Sequence, residues 1–445
     1  MFTIPLLIGN VFQQLYSFTD AVVVGRLLGV DALASVGATG GLLFLLIGFT
    51  WGSSAGLAIP VARAFGAGDF DAMRRHVAAG VLVSVGIAAV ITVVGSLASR
   101  PLLQLLATPP ELLDGGTTFL SIAFGFSAAT VAFNFLAAMI RALGDSRTPL
   151  IFLVMSCVLN GLLAYFFVGV LHFGIAGSSL ATVVAQFVSV CACLTLIARK
   201  IPMLRLRRED WRLRRGELAE SARVGLTMGF QMSIIAIGTL VLQTAINSLG
   251  ASAVAAFTAA ARVDQLAVAP LNSFGLAMAT YVAQNRGAGQ WRRVRVGVFR
   301  VSLISAGLAV LLGAVNIAFG TSIARLFVGN GANAIVAMAH QYLIISGMLY
   351  VFLSLLFVLR NTLQGLGVTS VPTVGGIMEL VVRSVAGLVL VRYLGFTGVC
   401  LAAPLAWIGS LTPLSIAWAV QRLRLKARER GDFHPRVRHM HAVAA

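Results

Sequence analysis

The sequence VARAFGAG at residues 61–68 returns as VAQNRGAG at residues 282–289, which is 221 positions further along the chain. Three more stretches are repeated at nearly the same spacing. LLGVDALA and SLGASAVA align Gly29 with Gly250, GIAGSSLA and GFTGVCLA align Gly174 with Gly395, and IRALGDSRTP and LQGLGVTSVP align Pro149 with Pro372. The first two offsets are 221 residues and the third is 223. Matches at one spacing predict a duplicated unit that occupies about half of the chain.

The composition places both copies in a membrane. The 445-residue chain is 58% hydrophobic and 11% charged, roughly half the charged fraction of a soluble domain. Apolar runs long enough to cross a bilayer recur along nearly the whole sequence. We predict twelve spans, at about 2–27, 32–60, 77–98, 117–141, 147–171, 174–198, 218–247, 253–283, 296–319, 335–362, 371–392 and 396–420.

Six spans in each copy fix the relation between the copies. Because six is even, both copies enter the membrane in the same direction, as in transporters built from parallel repeats. The predicted fold is an all-α membrane protein with twelve transmembrane helices in two parallel-repeat six-helix bundles around a central cavity. The predicted domains are an N-terminal lobe (1–198), a cytoplasmic linker (199–217), a C-terminal lobe (218–420) and a basic cytoplasmic tail (421–445).

The net charge of +18 follows the predicted topology rather than a nucleic-acid surface. With a cytoplasmic N-terminus, 27 of the 33 Lys and Arg residues fall on the cytoplasmic side, as the positive-inside rule requires. Both termini are then cytoplasmic, and no nucleic-acid partner is expected. The linker sequence RKIPMLRLRREDWRLRRGE fits an amphipathic segment lying on anionic lipid and fits a solvated linker equally well.

Only three of the 15 acidic residues lie in predicted spans, and Asp20 is the strongest functional candidate among them. A carboxylate inside a membrane span is costly and is a functional candidate by default. No basic residue stands at a helical neighbour position of Asp20. Asn10, Gln13, Ser17 and Asp20 follow at helical spacing on one face, and Pro5 in the same span is a candidate hinge. Because burial disfavours the charged form, Asp20 is suited to gain and lose a proton in each transport cycle.

The other two intramembrane acids leave alternatives open. Glu379 and Arg383 stand one helical turn apart, which fits an ion pair within the helix and also a second cation or substrate site. Asp264 has no partner on its own helix face, so it serves either packing or coupling. Asn134 belongs to a polar stripe that more often joins helices than binds a ligand.

Several motifs together resemble one transporter family. They are IPLLIGNVFQQLYSFTDAVVVGRLLG, RAFGAGD, RALGDSRTP, GIAGSSLAT, QNRGAG and ELVVR, and they extend over essentially the whole chain. The chain is similar to bacterial members of the multidrug and toxic compound extrusion (MATE) family.

The resemblance implies roles for further residues. The carboxylate that matches Asp20 is the coupling-ion residue of the family's N-terminal lobe. Ser156 and Asn160 stand where the family often has an Asn and an Asp, and the LAT of the sixth span supplies Thr182. Asn160 removes the second carboxylate of a two-acid proton site. The oxygens of Asp20, Asn160, Thr182 and Ser156 suit either a proton relay or a Na⁺ site, and no other metal is expected.

The expected function is secondary active export of amphipathic, often cationic, drugs or toxic organic compounds in exchange for H⁺ or Na⁺. Asp20 would be the coupling carboxylate, and Asn10, Gln13, Ser17, Asn134, Asp264, Glu379 and Arg383 are candidate cavity residues. No cofactor is expected. The protein would act as a lipid-embedded monomer in a bacterial inner membrane.

Three other classes fit the sequence less well. A flippase for a lipid or a lipid-linked sugar is the runner-up, although a long basic cavity is not evident. A membrane enzyme would need catalytic groups clustered at one depth, and the sequence shows scattered acids, so no enzymatic activity is expected. A channel would not require an alternating-access repeat.

Overall fold

A computed structural model describes residues 3–106, 108–328 and 333–430, with the backbone alone described for residues 14–18, 20, 21, 30 and 326–328. Every regular element in these ranges is helical. The helices are α1 (Thr3–Leu28), α2 (Val30–Ala38), α3 (Gly40–Gly66), α4 (Phe70–Val90), α5 (Ser96–Leu105), α6 (Pro110–Gly125), α7 (Ser127–Ala142), α8 (Arg147–Ala164), α9 (Gly174–Lys200), α10 (Arg215–Asn247), α11 (Ala251–Gly287), α12 (Trp291–Val328), α13 (Asn333–Gly365), α14 (Ser370–Val385), α15 (Val391–Leu394) and α16 (Phe396–Arg430).

The predicted spans correspond to these helices in order. Short π-helical segments connect α4 to α5 and α14 to α15, so each pair forms one continuous span. Within the described residues, ten helical segments are long and apolar enough to cross a membrane. The pair α6 and α7, bent by 50°, makes an eleventh. With α1, which is 26 residues long, the chain has the twelve predicted helices.

The backbone of the turns confirms the repeat. Eight described glycines have a positive φ, a conformation that only glycine adopts without strain. They form four pairs at the spacing of the sequence repeat: Gly29 with Gly250, Gly68 with Gly289, Gly144 with Gly367, and Gly174 with Gly395. The φ values agree closely in three pairs, for example 89° at Gly29 and 90° at Gly250, and differ most between Gly144 at 92° and Gly367 at 73°. Equivalent turns therefore end equivalent helices in both halves.

The helices form two bundles, which we call the N-terminal bundle (α1–α9) and the C-terminal bundle (α10–α16). Buried apolar side chains fill each of them, such as Leu120 in the first and Leu356 in the second. A further apolar cluster joins Met73 and Ile140 of the N-terminal bundle to Val224 of the C-terminal bundle. The two bundles thus share part of their core.

Glycines allow α3 and α10 to meet along their length. A Cβ atom at Gly52 would lie 2.6 Å from the carbonyl oxygen of Met228, and one at Gly56 would lie 2.7 Å from that of Val224. Neither position admits a side chain without moving a backbone. Small residues therefore set the distance between the bundles, as they do between many membrane helices.

Ion pairs close the bundles together at the end of the molecule that carries the interbundle linker 201–214, which we call the linker end. Arg63 of α3 donates two hydrogen bonds, of 2.6 and 2.9 Å, to the carboxylate of Glu220 in α10. Arg75 of α4 contacts Glu217 at 2.8 Å. Both arginines belong to the N-terminal bundle and both glutamates to the C-terminal bundle.

Close backbone packing reinforces this closure. A Cβ atom at Gly66 would lie 2.0 Å from the carbonyl oxygen of Gln284, so α3 and α11 touch directly. The side-chain amide of Gln284 also donates to the carbonyl oxygen of Ala142 at 2.8 Å. The structure is therefore closed between the bundles at the linker end.

The linker itself packs against the N-terminal bundle. It contains two 3-10 turns, Pro202–Leu204 and Arg208–Trp211, rather than one amphipathic helix. Leu204 is buried in the apolar cluster shared by the bundles. The buried Asp210 contacts Arg74 of α4 at 3.4 Å. These contacts hold the linker on the protein surface.

Candidate functional site: two polar sites at equivalent positions

The first site is formed by α8 and α9 inside the N-terminal bundle. The amide nitrogen of Asn160 donates to the hydroxyl of Thr182 at 3.0 Å. Asn160 is completely buried, and Ser156, one turn earlier on α8, is 2% exposed. The Oδ1 atom of Asn160 is buried without a hydrogen-bond partner in the described part of the chain. A buried acceptor of this kind is suited to an ion, a water molecule or a protonated group.

Helix α1 runs beside α8 in parallel register. A Cβ atom at Gly9 would lie 3.7 Å from Leu153, and one at Gly161 would lie 3.2 Å from the methyl group of Thr19. The backbone of α1 at residues 19 and 20 therefore lies at the depth of Asn160. The side chains of Asp20 and Ser17 lie outside the described residues, and the predicted contact of Asp20 with Asn160 and Thr182 stays a prediction.

The other predicted residues of α1 lie away from that site. Asn10 donates to the hydroxyl of Ser273 in α11 at 3.0 Å, so it connects the two bundles. Gln13 is exposed. Pro5 is the third described residue of α1, so it lies in the first turn of Thr3–Leu28. Backbone N–H groups in a first turn have no acceptor within the helix, so the N–H that proline lacks removes no hydrogen bond within this range. The hinge at Pro5 stays a prediction.

The polar stripe of the fourth span makes contacts within its own bundle. Asn134 donates to the carbonyl oxygen of Thr130 on the same helix at 3.0 Å. The Thr130 hydroxyl bonds to Gln186 of α9. Ser127 lies 3.1 Å from the hydroxyl of Thr92. The bonds of Thr130 and Ser127 join segments of the N-terminal bundle, whereas that of Asn134 stays within α7.

The second site is a buried charge cluster in the C-terminal bundle. Arg383 donates to Glu379 at 2.9 Å, as the helical spacing predicted. Arg360 of α13 donates to the other oxygen of Glu379 at 2.7 Å and lies 3.3 Å from the hydroxyl of Ser410. All three charged residues are at most 5% exposed. The cluster has two guanidinium groups and one carboxylate, so its own net charge is +1.

The two sites occupy equivalent positions of the repeat. Pro149 and Pro372 are 223 residues apart, and the same offset relates Ser156 to Glu379 and Asn160 to Arg383. One helix of each bundle thus presents its polar pair one turn apart at the same place. The pair is neutral in α8 and charged in α14.

Asp264 lies in a separate chain of hydrogen bonds in the C-terminal bundle. The hydroxyl of Tyr350 donates to its carboxylate at 2.6 Å and accepts from the amide of Asn316 at 2.8 Å. Tyr350 is completely buried. The partner of Asp264 therefore comes from another helix, α13. This agrees with the sequence, which shows no partner for Asp264 on its own helix face.

A small cavity lies between the bundles beside the second site. It encloses about 20 Å³, enough for a water molecule but not for an organic molecule. Its lining comes from α3, α10, α11 and α13, and includes Trp51, Met228, Phe357 and Arg360. Arg360 belongs both to the charge cluster and to the lining of this cavity.

Sequence reasoning missed Arg360, Tyr350 and Asn316. Arg360 stands near the end of the predicted span 335–362, where no partner was expected for it, and the structure places its side chain in the buried charge cluster, where the residue is 3% exposed. The only signal in the sequence was an arginine inside the predicted limits of that span. Within the described residues, no three His, Cys, Asp or Glu side chains are grouped to hold a metal ion.

Comparison with known families identifies the chain. A family model described as MatE matches residues 5–166 and, a second time, residues 228–389. The chain belongs to the MATE family. The second match follows the first by 223 residues, the offset that relates the two polar sites. The family and the twelve-helix, two-repeat fold predicted from the sequence are both confirmed.

Individual MATE relatives match over most of their length. The chain is 28% identical to "Probable multidrug resistance protein YpnP" of Bacillus subtilis over 82% of both proteins. It is 25% identical to "Probable multidrug resistance protein NorM" of Thermotoga maritima, over 92% of this chain and 88% of that one. The fold is similar to "Crystal structure of MATE in the bent conformation", with a TM-score of 0.87, 21% identity and coverage of 97% and 95%. The chain is thus a multi-pass membrane protein of a transporter family.

Proposed function

We propose that this MATE transporter exports amphipathic, often cationic, organic molecules in exchange for H⁺ or Na⁺, with Asp20 as the coupling carboxylate. The observation that carries the proposal is the site in the N-terminal bundle. Asn160 and Thr182 form a buried polar pair at 3.0 Å, and residue 20 of α1 lies at the same depth. The Oδ1 atom of Asn160, which has no hydrogen-bond partner among the described side chains, supplies an acceptor for a protonated carboxyl or for Na⁺.

Neutralisation of Asp20 would drive the exchange. An ionised Asp20 attracts the amide and hydroxyl donors of Asn160 and Thr182, and uptake of H⁺ or Na⁺ from outside weakens that attraction. Helix α1 is then free to move relative to α8 and α9. One positive charge that moves inward across about 100 mV provides about 2.3 kcal/mol, before any concentration gradient is added.

Movement of α1 would be transmitted to the other bundle through Asn10. Its hydrogen bond to Ser273 is a direct link between α1 and α11. Movement of the part of α1 that carries Asn10, by a bend at Pro5 or of α1 as a whole, would break this link and change the space between the bundles. The linker end, rich in Lys and Arg, would be cytoplasmic, in the inner membrane of a bacterium, and the protein would act as a monomer.

Efflux from proteoliposomes tests the proposal. Purified protein would be reconstituted, loaded with a cationic dye and exposed to a pH gradient or a Na⁺ gradient in separate experiments. We expect one gradient to drive efflux in the wild type and neither to do so in Asp20→Asn. Asp31→Asn is the matched control, because Asp31 is an exposed carboxylate in the neighbouring helix α2. Efflux at the wild-type rate by Asp20→Asn would refute the role of Asp20.

A further inference from the structure

The charge cluster of the C-terminal bundle contains more positive charge than its own carboxylate neutralises. Glu379 accepts from both Arg360 and Arg383, at 2.7 and 2.9 Å, so one carboxylate is shared between two guanidinium groups. Asp264 is engaged by the hydroxyl of Tyr350. Among the described residues, no second carboxylate forms an ion pair with these two guanidinium groups.

Several donors of the cluster have no acceptor among the residues that the structure describes. These donors, Nε of Arg360 and both Nε and Nη1 of Arg383, are buried. The side chains of these arginines are 4% and 6% exposed, so bulk water does not reach most of their surface. Buried charged donors that lack an acceptor are costly, and a residue pattern of this kind is suited to bidentate binding of a carboxylate or phosphate.

The cluster lies beside the space between the bundles. Arg360 is one of the residues that line the interbundle cavity, together with the apolar side chains of Trp51, Met228 and Phe357. A guanidinium next to aromatic and thioether surface suits a molecule that has an acidic group on an apolar body. The cavity holds about 20 Å³ in this conformation, so such a molecule would enter when the bundles separate.

Comparison of the two repeats also favours an acidic ligand at the charge cluster. At the equivalent positions of the N-terminal bundle the pair is Ser156 and Asn160, which are neutral, and the predicted coupling residue there is acidic. Within the described residues, two guanidinium groups pair with the polar site of the C-terminal copy and none with that of the N-terminal copy. If the cluster merely joined helices, one carboxylate with one arginine would serve, as the i,i+4 pair alone would.

We infer that Arg360, which lines the space between the bundles, binds the carboxylate or phosphate group of an amphipathic substrate there, and that this group adds to the single counter-charge that Glu379 supplies to Arg360 and Arg383. The inference deepens the proposed function, on which it rests, because it adds acidic and zwitterionic amphiphiles to the cationic ones. Both a soluble organic acid and the headgroup of an anionic lipid have the required chemistry.

A matched pair of dyes tests the inference directly. A rhodamine carboxylic acid and its methyl ester share one aromatic body and differ in one negative charge. Binding of each dye to the purified full-length protein would be followed by fluorescence polarisation. We expect the wild type to bind the acid more tightly than the ester, and Arg360→Gln to lose roughly tenfold or more of that preference, as expected for a lost hydrogen bond to a charged group.

Glu379→Gln supplies the decisive second variant. It removes the competing carboxylate, so the preference for the acid should be kept or increased, whereas Arg360→Gln should decrease it. A purely structural role predicts that both changes weaken binding of both dyes alike. Arg360→Lys, which keeps the charge and loses the planar fork, should have an intermediate preference if Arg360→Gln does not fold. Arg262→Gln, at an exposed arginine of α11, is the control.

The remaining outcomes separate this inference from the proposed function. Equal affinity of the wild type for the two dyes, or an unchanged preference in Arg360→Gln, would overturn the inference even if ion-driven efflux is observed. A preference that depends on Arg360, without ion-driven efflux of either dye, would support the binding site and refute the proposed function. Competition by phosphatidic acid, with phosphatidylcholine as its control, would identify a lipid headgroup as the source of the acidic group. Competition by soluble phenyl phosphate alone would identify a soluble one.

Discussion

The two bundles have one backbone plan, but their equivalent interior polar pairs differ in charge. Their turns match glycine for glycine, and the polar pairs on α8 and α14 stand 223 residues apart. Ser156 and Asn160 in the first bundle are replaced in the second by Glu379 and Arg383, with Arg360 added from α13. Duplication therefore preserves the helix positions, while a few side chains at one depth give each copy a different chemistry.

At the linker end the charges are divided between the bundles. There the N-terminal bundle contributes Arg63 and Arg75, and the C-terminal bundle contributes Glu220 and Glu217. These ion pairs attract the bundles to each other, whereas the bonds of Asn160 with Thr182 and of Glu379 with Arg383 each form within one bundle. Ion pairs between the bundles thus lie at the ends of the helices, and the two polar sites lie within the bundles.

Removal of Glu379 should have the largest effect on stability. Glu379→Gln leaves two buried guanidinium groups without a counter-charge, and the free energy of unfolding should fall by about 3–5 kcal/mol. Adding Arg383→Met should recover only part of this loss, because Arg360 remains buried. Denaturant unfolding in detergent would measure both variants, and Ser156→Ala at the equivalent position should cost less than ~1 kcal/mol. A harmless Glu379→Gln would mean that the cluster does not stabilise the bundle.

The hydrogen-bond chain of Asp264 should be the next most sensitive feature. Tyr350→Phe removes the hydroxyl that donates to Asp264 and accepts from Asn316, so two polar groups lose a partner. We expect a loss of about 1–3 kcal/mol in unfolding free energy. Tyr281→Phe is the control, because its hydroxyl bonds to a carbonyl at an exposed position. Equal effects of the two substitutions would show that the chain is not a stabilising unit.

The neutral pair of the N-terminal bundle should contribute less to stability and more to coupling. Asn160→Ala and Thr182→Val each break the 3.0 Å hydrogen bond between these residues. We expect each to cost about 1 kcal/mol and the double variant to cost less than the sum. Gradient-driven dye efflux should decrease in all three variants. Strict additivity in the cycle would mean that the two side chains act independently.

The contacts at the linker end should have the smallest effects, because their side chains are partly exposed. The pair of Arg75 and Glu217 is 23% and 15% exposed, and its loss should cost about 1 kcal/mol or less. Arg75→Glu should favour separation of the bundles, and the exchange Arg75→Glu with Glu217→Arg should restore closure. Spin-label distances between the linker ends of α3 and α11 would report this. A double exchange that stays as open as the single variant would contradict an electrostatic latch.

The sequence was sufficient for features that depend on one helix at a time. Hydropathy located the twelve spans, and the repeated glycines indicated the turns that the structure confirms. The ion pair of Glu379 with Arg383 followed from helical spacing alone. Each of these features depends only on residues that are close together in the sequence.

Contacts between distant segments were beyond such reasoning. The bonds from Arg63 to Glu220 and from Tyr350 to Asp264 join residues 157 and 86 positions apart, and no periodicity connects them. Arg360 shows a different difficulty. The positive-inside rule explains a basic residue near a span end by topology alone, so it gives no sign that Arg360 pairs with Glu379 inside the protein.

The central claim is that ion coupling belongs to the N-terminal bundle, at Asp20, and not to the charged site of the C-terminal bundle. Substrate-dependent ion movement in inverted membrane vesicles tests it most directly, with Asp20→Asn compared with Glu379→Gln at matched amounts of folded protein. We predict that ion movement is abolished in Asp20→Asn and retained in Glu379→Gln. Ion movement at the wild-type rate in Asp20→Asn, with its loss in Glu379→Gln, would contradict the account.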